Sequence, residues 1–456
     1  MRRLLFHNFY FVFALSHWIQ RRFTKAGMLL LSGLIVAGTF GIDTKKTLAY
    51  QFFSFLLALL LLAFFSSWFF RARFTAQRDL PQFATVGKTL HYQVQVQNNT
   101  QKLQRSLVLQ ENVKLHPPSF ETFLRTKEPG YEKRNWFDRY VGYPRWTWLM
   151  RMSRGAEITA QNLPPLPPSH LNLKSKIQNS TSQGLEIKMA LSPLRRGYVH
   201  FTSMTFARSD PFGLFNAFYT VNMPDNLLVL PKRYPVGEIS LLGSRKYQRG
   251  GVNLAMSVGD SEEFISLREY RPGDPLRLMH WKSWARLGKP VVKEYQDEFF
   301  VRHALILDTF TEQSGGESFE EAVSVAASFA CAPRSYEVLL DLMFIGTTAY
   351  RFTSGRGVAP ADKLLEVLAC VSVCADKPFS QLSSLITAHI ASLSGCVCVL
   401  LNWDSERQQL IQQLKNADVP LLVVVISNTD LEIDPEKFPE VHVLPTDAIA
   451  EELAKI

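Results

Sequence analysis

The chain has 456 residues, of which 46% are hydrophobic and 20% charged, and a formal net charge of +9. That length exceeds one ordinary domain and the balance is that of a globular chain. Its cysteines, Cys331, Cys370, Cys374, Cys396 and Cys398, are odd in number and lack framework spacing, which argues against a disulfide-stapled fold and for buried thiols in a reducing compartment. The average hides a gradient, because the long apolar runs lie before residue 71.

The first run, Leu4 to Ile19 (LLFHNFYFVFALSHWI), is rich in aromatics, carries His7, Asn8 and His17, and is followed by Arg21 and Arg22. It reads as a helix lying in the membrane interface, so residues 1–25 form an aromatic and basic leader. No small-residue site marks it as a cleaved signal peptide. As a third span it would move the soluble part outside. Ala26 to Ile42 then gives 17 uncharged residues and Thr47 to Phe70 gives 24, with only DTKK between them. Spanning takes about 20 helical residues, so 26–70 reads as a transmembrane helical hairpin. Arg2, Arg3, Arg21, Arg22 and Lys25 flank its start, and Arg71, Arg73 and Arg78 its end, against Lys45 and Lys46 at the tip. The positive-inside rule then places the soluble domains in the cytoplasm.

Over 75–235 the apolar period falls to two. His91–Asn99 (HYQVQVQNN) alternates, as do SLVLQENVKL, LEIKMAL, GYVHFTSMTF and DNLLVLP, and strands so short and frequent point to an antiparallel sandwich. An insertion at 117–168 follows neither period. It carries KRNWFDRYVGYPRWTWLMRM, whose aromatics and arginines suit a bilayer surface, nucleic acid, a protein partner or a packed loop, with the bilayer surface preferred. LPPLPPSH after it reads as a polyproline-type spacer.

From His303 apolar strands alternate with helical patterns: HALILD, SFEEAVSVAASFA, VLLDLMFIG, the short edge strand AYRF, ADKLLEVLACV, FSQLSSLITAHI, GCVCVLL, ERQQLIQQLKN and PLLVVVIS. Crossovers of this length imply a parallel sheet over 301–456, with sites beyond the carboxyl ends of strands, where Asp308 and Asp404 fall.

Between the two soluble domains, within 240–300, runs EEFISLREYRPGDPLRLMHWKSWARLGKPVVKEYQDE, Glu262 to Glu298. Arg268, Arg271, Arg277, Lys282, Arg286, Lys289 and Lys293 alternate there with Glu269, Asp274, Glu294, Asp297 and Glu298. Pro272-Gly273-Asp274 makes a turn after Tyr270, and Trp281 and Trp284 supply large apolar anchors beside His280. One reading is a charge lattice fixing the domain junction, since arginine forks on carboxylates are geometrically specific. The other is an interaction surface, because Trp and Arg dominate binding hot spots.

This segment resembles the signature of the family known as domain of unknown function 58, and LRRGYVHF and SDPFGLF, within Leu194 to Phe215, are similar to the same pattern. The resemblance implies a membrane-anchored α+β multidomain protein. Its parts would be a two-helix anchor, a β-sandwich-like domain and a C-terminal α/β domain similar to von Willebrand factor A. It also implies work beside a MoxR-type AAA+ ATPase. Domains of the von Willebrand type hold Mg²⁺ through Asp-x-Ser-x-Ser. Here Asp308 stands, but Phe310 and Glu312 occupy the hydroxyl positions, and Asp404 offers a second carboxylate. No nucleophile elbow, phosphate-cradling Gly-rich loop or HExxH occurs, so no enzyme is expected.

The sequence reading is therefore a bacterial inner-membrane protein whose cytoplasmic part is a protein-binding module, partnered by lipid and an ATPase. No nucleic acid and no cofactor is expected beyond a possible Mg²⁺. The alternatives are a metal-dependent hydrolase built on Glu269, Asp274, His280 and Lys282, or a structural membrane scaffold.

Overall fold

Residues free of proline and acidic side chains, rich in Leu, Phe and Ala, sustain helix without interruption. The computed structural model accordingly opens with three: α1 (Arg2–Arg22), α2 (Lys25–Gly41) and α3 (Thr47–Trp68). The structure describes residues 2–41, 47–70, 72–168, 185–237, 263–274, 276–296, 301–311, 316–332, 338–355, 360–427, 431 and 433–455. The DTKK tip of the expected hairpin lies outside them. The chain divides into two units, Met1–Lys232 and Arg233–Ile456.

In the first unit, Tyr50–Trp68 of α3 is long and apolar enough to cross a bilayer, whereas α2 carries a shorter apolar run, Lys25–Thr39. The two helices pack together, with Leu56 of α3 against Gly33 and Phe53 against Gly38. Among the described residues nine strands follow: β1 (Phe74–Asp79), β2 (Phe83–Thr85), β3 (Leu90–Asn98), β4 (Leu107–Val113), β5 (Ala156–Ile158), β6 (Gln161–Leu163), β7 (Leu185–Pro193), β8 (Gly197–Ser209) and β9 (Asn216–Leu230). They build one sheet in the order β1-β3-β7-β5 and another in the order β2-β9-β8-β4-β6. The inward residues of both, among them Val94, Leu109, Leu191, Met204, Phe206 and Leu227, form one core. Every pairing is antiparallel except β2 with β9. Period-two alternation produces this because each strand buries one face and wets the other.

The 117–168 insertion is more ordered than its sequence pattern conveyed. It folds into α4 (Phe120–Arg125), α5 (Trp136–Val141) and α6 (Tyr143–Ser153) before β5 and β6, which join different sheets. Its helices take one face of α1. Phe6 meets Phe120 and Phe123, Phe9 meets Tyr143, and Phe13 meets the buried Trp146 at 5.3 Å. The spacing of Phe6, Phe9, Phe13 and His17 is that of a single helical stripe. The described part of the proline-rich stretch is no free spacer either. Leu166 is buried, its N–H donates to the Gln104 carbonyl, and its own carbonyl accepts from Gln104 N–H and Asn98 Nδ2.

SDPFGLF turns out to be a socket for the helices. Asp210 Oδ1 accepts from the N–H groups of Leu214 and Phe215, and Oδ2 from that of Phe212. The turn so fixed presents Leu214 and Phe215 to Ala63 of α3 and to Phe23 and Leu30. Thr24 N–H donates to the Leu214 carbonyl, and Thr24 Oγ1 to that of Gly213. Gly27 is required here, since a Cβ on it would collide with the Leu214 carbonyl oxygen.

In the second unit, β10 (Glu263–Glu269) and β11 (Val291–Gln296) form an antiparallel ribbon carrying α7 (Trp281–Leu287). A six-stranded sheet then contains β12 (Val301–Leu307), β13 (Val338–Ile345), β14 (Ala349–Ser354), β15 (Gly395–Leu400), β16 (Leu421–Ile426) and β17 (Val441–Leu444). Its order is β14-β13-β12-β15-β16-β17, all parallel but for the antiparallel edge β14. The helices are α8 (Glu317–Ala330), α9 (Ala361–Cys370), α10 (Ser380–Thr387), α11 (Ser405–Asn416) and α12 (Ile449–Leu453). Leu382, Ile386, Leu410 and Leu414 of α10 and α11 cover one face of the sheet. The central strands β13, β15 and β16 are buried almost throughout, β15 at every position, as a sheet covered on both faces requires. The thiols are free; Cys374, Cys396 and Cys398 are buried as expected, but Cys370 is exposed and Cys331 half-buried.

Candidate functional site

Strand order reverses between β12 and β15, so their carboxyl ends open the crevice in which such sheets place sites. Asp308 follows β12 there, fully buried. Its Oδ1 accepts from Phe310 N–H at 2.9 Å, and its Oδ2 from Leu401 N–H at 3.1 Å. The remaining valence is taken by a residue the sequence reading missed. Arg407 Nε donates to Asp308 Oδ2 at 2.7 Å, while its Nη1 bonds Asp404. Arg407 also lies 4.6 Å over the Phe379 ring. Burial opposes the guanidinium charge, but Asp308 and then Asp404 outweigh it and raise its pKa.

The structure thus brings Asp308 and Asp404 together around a guanidinium. Thr309 is turned away, its hydroxyl donating to the Ile345 carbonyl at 2.6 Å, and Phe310 offers no oxygen from its side chain. Glu312 lies outside the described residues. The groups present do not fit a resident Mg²⁺, because a fixed cation already neutralises the carboxylate that would bind it. Titrating Mg²⁺ or Mn²⁺ into the wild-type protein in a calorimeter is expected to give no saturable heat; a stoichiometric isotherm would refute this geometry. A signal for Arg407 existed in the sequence: a cation in the first turn of a helix opposes the helix dipole, which calls for a specific anionic partner.

The second cluster sits on the β10–β11 ribbon. The chain leaves β10, where Tyr270 N–H still donates to the Pro290 carbonyl of the ribbon, through a turn in which Gly273 has φ 108° and Asp274 N–H donates to the Arg271 carbonyl. Arg268 grips Asp274 with both prongs, at 2.7 and 2.8 Å, and Arg271 N–H donates to Asp274 at 2.8 Å. The Arg268 bonds, followed by the Arg271 N–H, hold the Asp274 carboxyl down at about 2. A carboxyl depressed in the fold stabilises it above the unfolded value near 3.9 and loses that contribution as pH falls through 2. The ¹³C shift of the Asp274 carboxyl is therefore expected to titrate near pH 2, rising toward the ordinary range in Arg268→Gln; an ordinary midpoint in wild type would dissolve the clamp.

Other members of the cluster are dispersed. Glu269 meets Lys289 at 3.3 Å across an exposed surface, and His280 Nδ1 lies 2.7 Å from Ser283 Oγ. Among the described residues no three His, Cys, Asp or Glu side chains gather to hold a metal, so Glu269, Asp274 and His280, with exposed Lys282, do not assemble a metal centre. The Glu294 side chain, and Glu262, Asp297 and Glu298, fall outside the described residues. The charge lattice is smaller than the sequence conveyed, since Arg277, Lys282 and Arg286 are exposed and, among the described residues, without ion pairs. Trp281 stacks on Trp284 at 5.3 Å and 22° yet stays 64% exposed, and Leu276 and Leu287 of the same segment are 65% and 64% exposed.

These features define a class: a doubly wound α/β unit led by a β-ribbon with an exposed aromatic and cationic face. Residues 266–392 match the family described as Protein of unknown function DUF58. The chain is also similar to a protein of Bacillus subtilis (strain 168) named "Uncharacterized protein YeaD", at 26% identity over 203 residues. That alignment covers 44% of this chain and 49% of the relative, so the chain spans about half the length of the curated relative it matches.

Proposed function

We propose that the chain is a protein-binding module anchored in the bacterial inner membrane, acting with a MoxR-type AAA+ ATPase in the assembly or maturation of protein complexes. The observation that carries this reading is the ribbon surface. Trp281, open to solvent and stacked on the half-buried Trp284, with exposed Lys282 and Arg286 on the same helix and without ion pairs among the described residues, has the composition of a binding hot spot and complements an acidic, apolar patch on another protein. The anchor in this reading is the α2–α3 hairpin, and the arginines flanking it put both units in the cytoplasm. The strand order of the second unit, with its antiparallel edge, supports a von Willebrand factor A-like module there. The full chain, purified from solubilised membranes, is expected to recover an AAA+ ATPase. Recovery of none, under conditions that retain the intact chain, refutes the partnership.

A further inference from the structure

α1 leaves a cleft against β9. One wall is a helical stripe of Tyr10, Phe13, His17, Trp18 and Arg21, and the other is Leu115, Phe218 and Thr220. Its volume is about 520 Å³, within the roughly 300–1,000 Å³ of small-molecule sites. From Tyr10 to Arg21 it runs about 16 Å, at the rise of an α-helix. One end is aromatic and the other is cationic. Arg21 and Arg22 both lie half-buried over the same ring, Phe218, at 5.4 and 5.0 Å.

Two like charges held side by side repel, and neither has a carboxylate partner among the described residues; Arg21 reaches only Asn112 Oδ1, at 3.4 Å. Burial, and then Arg22, pull the Arg21 pKa below its ordinary value. Midway, burial, followed by the charges of Arg154 and Arg21, lowers the His17 pKa. Apolar α2 starts at Lys25, so the arginine pair stands within one helical turn of it, at the depth of lipid phosphates if α2 enters the bilayer.

We propose that this cleft binds one anionic phospholipid, its phosphate on Arg21 and Arg22 and an acyl chain along Phe13, Tyr10 and Trp18. The site rests on the membrane-anchor reading given above. It makes α1 more than an amphipathic float: α1 and β9 close on a lipid and seat the sandwich against the bilayer.

The test is native mass spectrometry and thermal unfolding of the detergent-solubilised full chain, with phosphatidylglycerol or phosphatidylcholine doped into the micelles. Phosphatidylglycerol is expected to be retained one per chain and to raise the melting midpoint, and phosphatidylcholine to do neither. Arg21→Gln with Arg22→Gln should weaken retention by roughly 30-fold, at about one lysine- or arginine-sized increment per residue. Arg21→Lys with Arg22→Lys should retain most of it. Ala14→Trp, which fills the cleft and leaves the charges untouched, should abolish retention even if the glutamine pair fails to fold. Equal retention of both lipids, or stabilisation by inorganic phosphate alone matching that by phosphatidylglycerol, overturns the proposal. Carbonate washing of membranes separates the two readings. Release of the chain would sink the anchor itself, whereas a chain that stays in the membrane without lipid selectivity sinks only the lipid site.

Discussion

Asp308→Ala is expected to destabilise the second unit by about 3–5 kcal/mol, the cost of stranding a buried charge. The removed carboxylate accepts from Arg407 and from two backbone N–H groups, all in a site closed to water. Of its two carboxylates Arg407 would retain only Asp404, which is 40% exposed at its side chain and so offers a weaker, screened partner, beside the Phe310 carbonyl that accepts from its Nη2 at 3.3 Å. Because much of the penalty lies in the unpaired charge, Asp308→Leu combined with Arg407→Met should recover that part, while the Phe310 and Leu401 N–H groups stay unsatisfied. Glu157→Gln is the matched control. It breaks the Arg151 pair, whose side chains are 57% and 48% exposed, and should cost no more than about 1 kcal/mol. Thermal and denaturant unfolding of the full chain in detergent measures all three. An Asp308→Ala midpoint equal to that of the control would show that the crevice is wetter and looser than described.

Trp281→Ala should cut ATPase capture by about 30-fold or more, corresponding to at least 2 kcal/mol for a hot-spot aromatic. It should leave folding nearly unchanged. Its ring is 64% exposed, and the fold loses chiefly the stack on Trp284, worth about 0.5–1.5 kcal/mol at most. Arg277→Glu and Lys282→Glu should act differently, slowing association and weakening its dependence on salt, since rim charges steer encounter more than they hold the complex. Binding isotherms at two ionic strengths separate the aromatic from the electrostatic contribution. Capture unaffected by Trp281→Ala would remove the ribbon face as the interface.

Much of the element pattern was legible locally. The alternation of Leu90–Asn98 reappears as alternating burial in β3, and the continuous run Gly395–Leu400 as a strand buried at every residue. The edge strand at Ala349–Ser354 was foreshadowed by the shortness of AYRF, though its antiparallel direction was not. The candidate site was only half legible. Asp308 and Asp404 were visible as polar residues after apolar strands, but the residue that joins them was not, because Arg407 lies 99 positions from Asp308. The insertion failed for a related reason: helices as short as α4 and α5, with 6 residues each, have too few turns to display a period.

The sequence by itself determined the apolar character of the N-terminal helices, the strand and helix periods, and the arginine-rich segment Glu262 to Glu298, most of which falls within the 266–392 match to a known family. Only the tertiary structure decided that Arg407 fills the crevice a cation would need, that Asp210 shapes the socket for α2 and α3, and that Trp281 faces water. The reason is physical. Periodicity records which side of an element meets an apolar neighbour, and it is written in residues a few positions apart. Which charge finds which partner depends on how the crossovers and β-turns bring distant segments together, and that information exists only once the chain has folded.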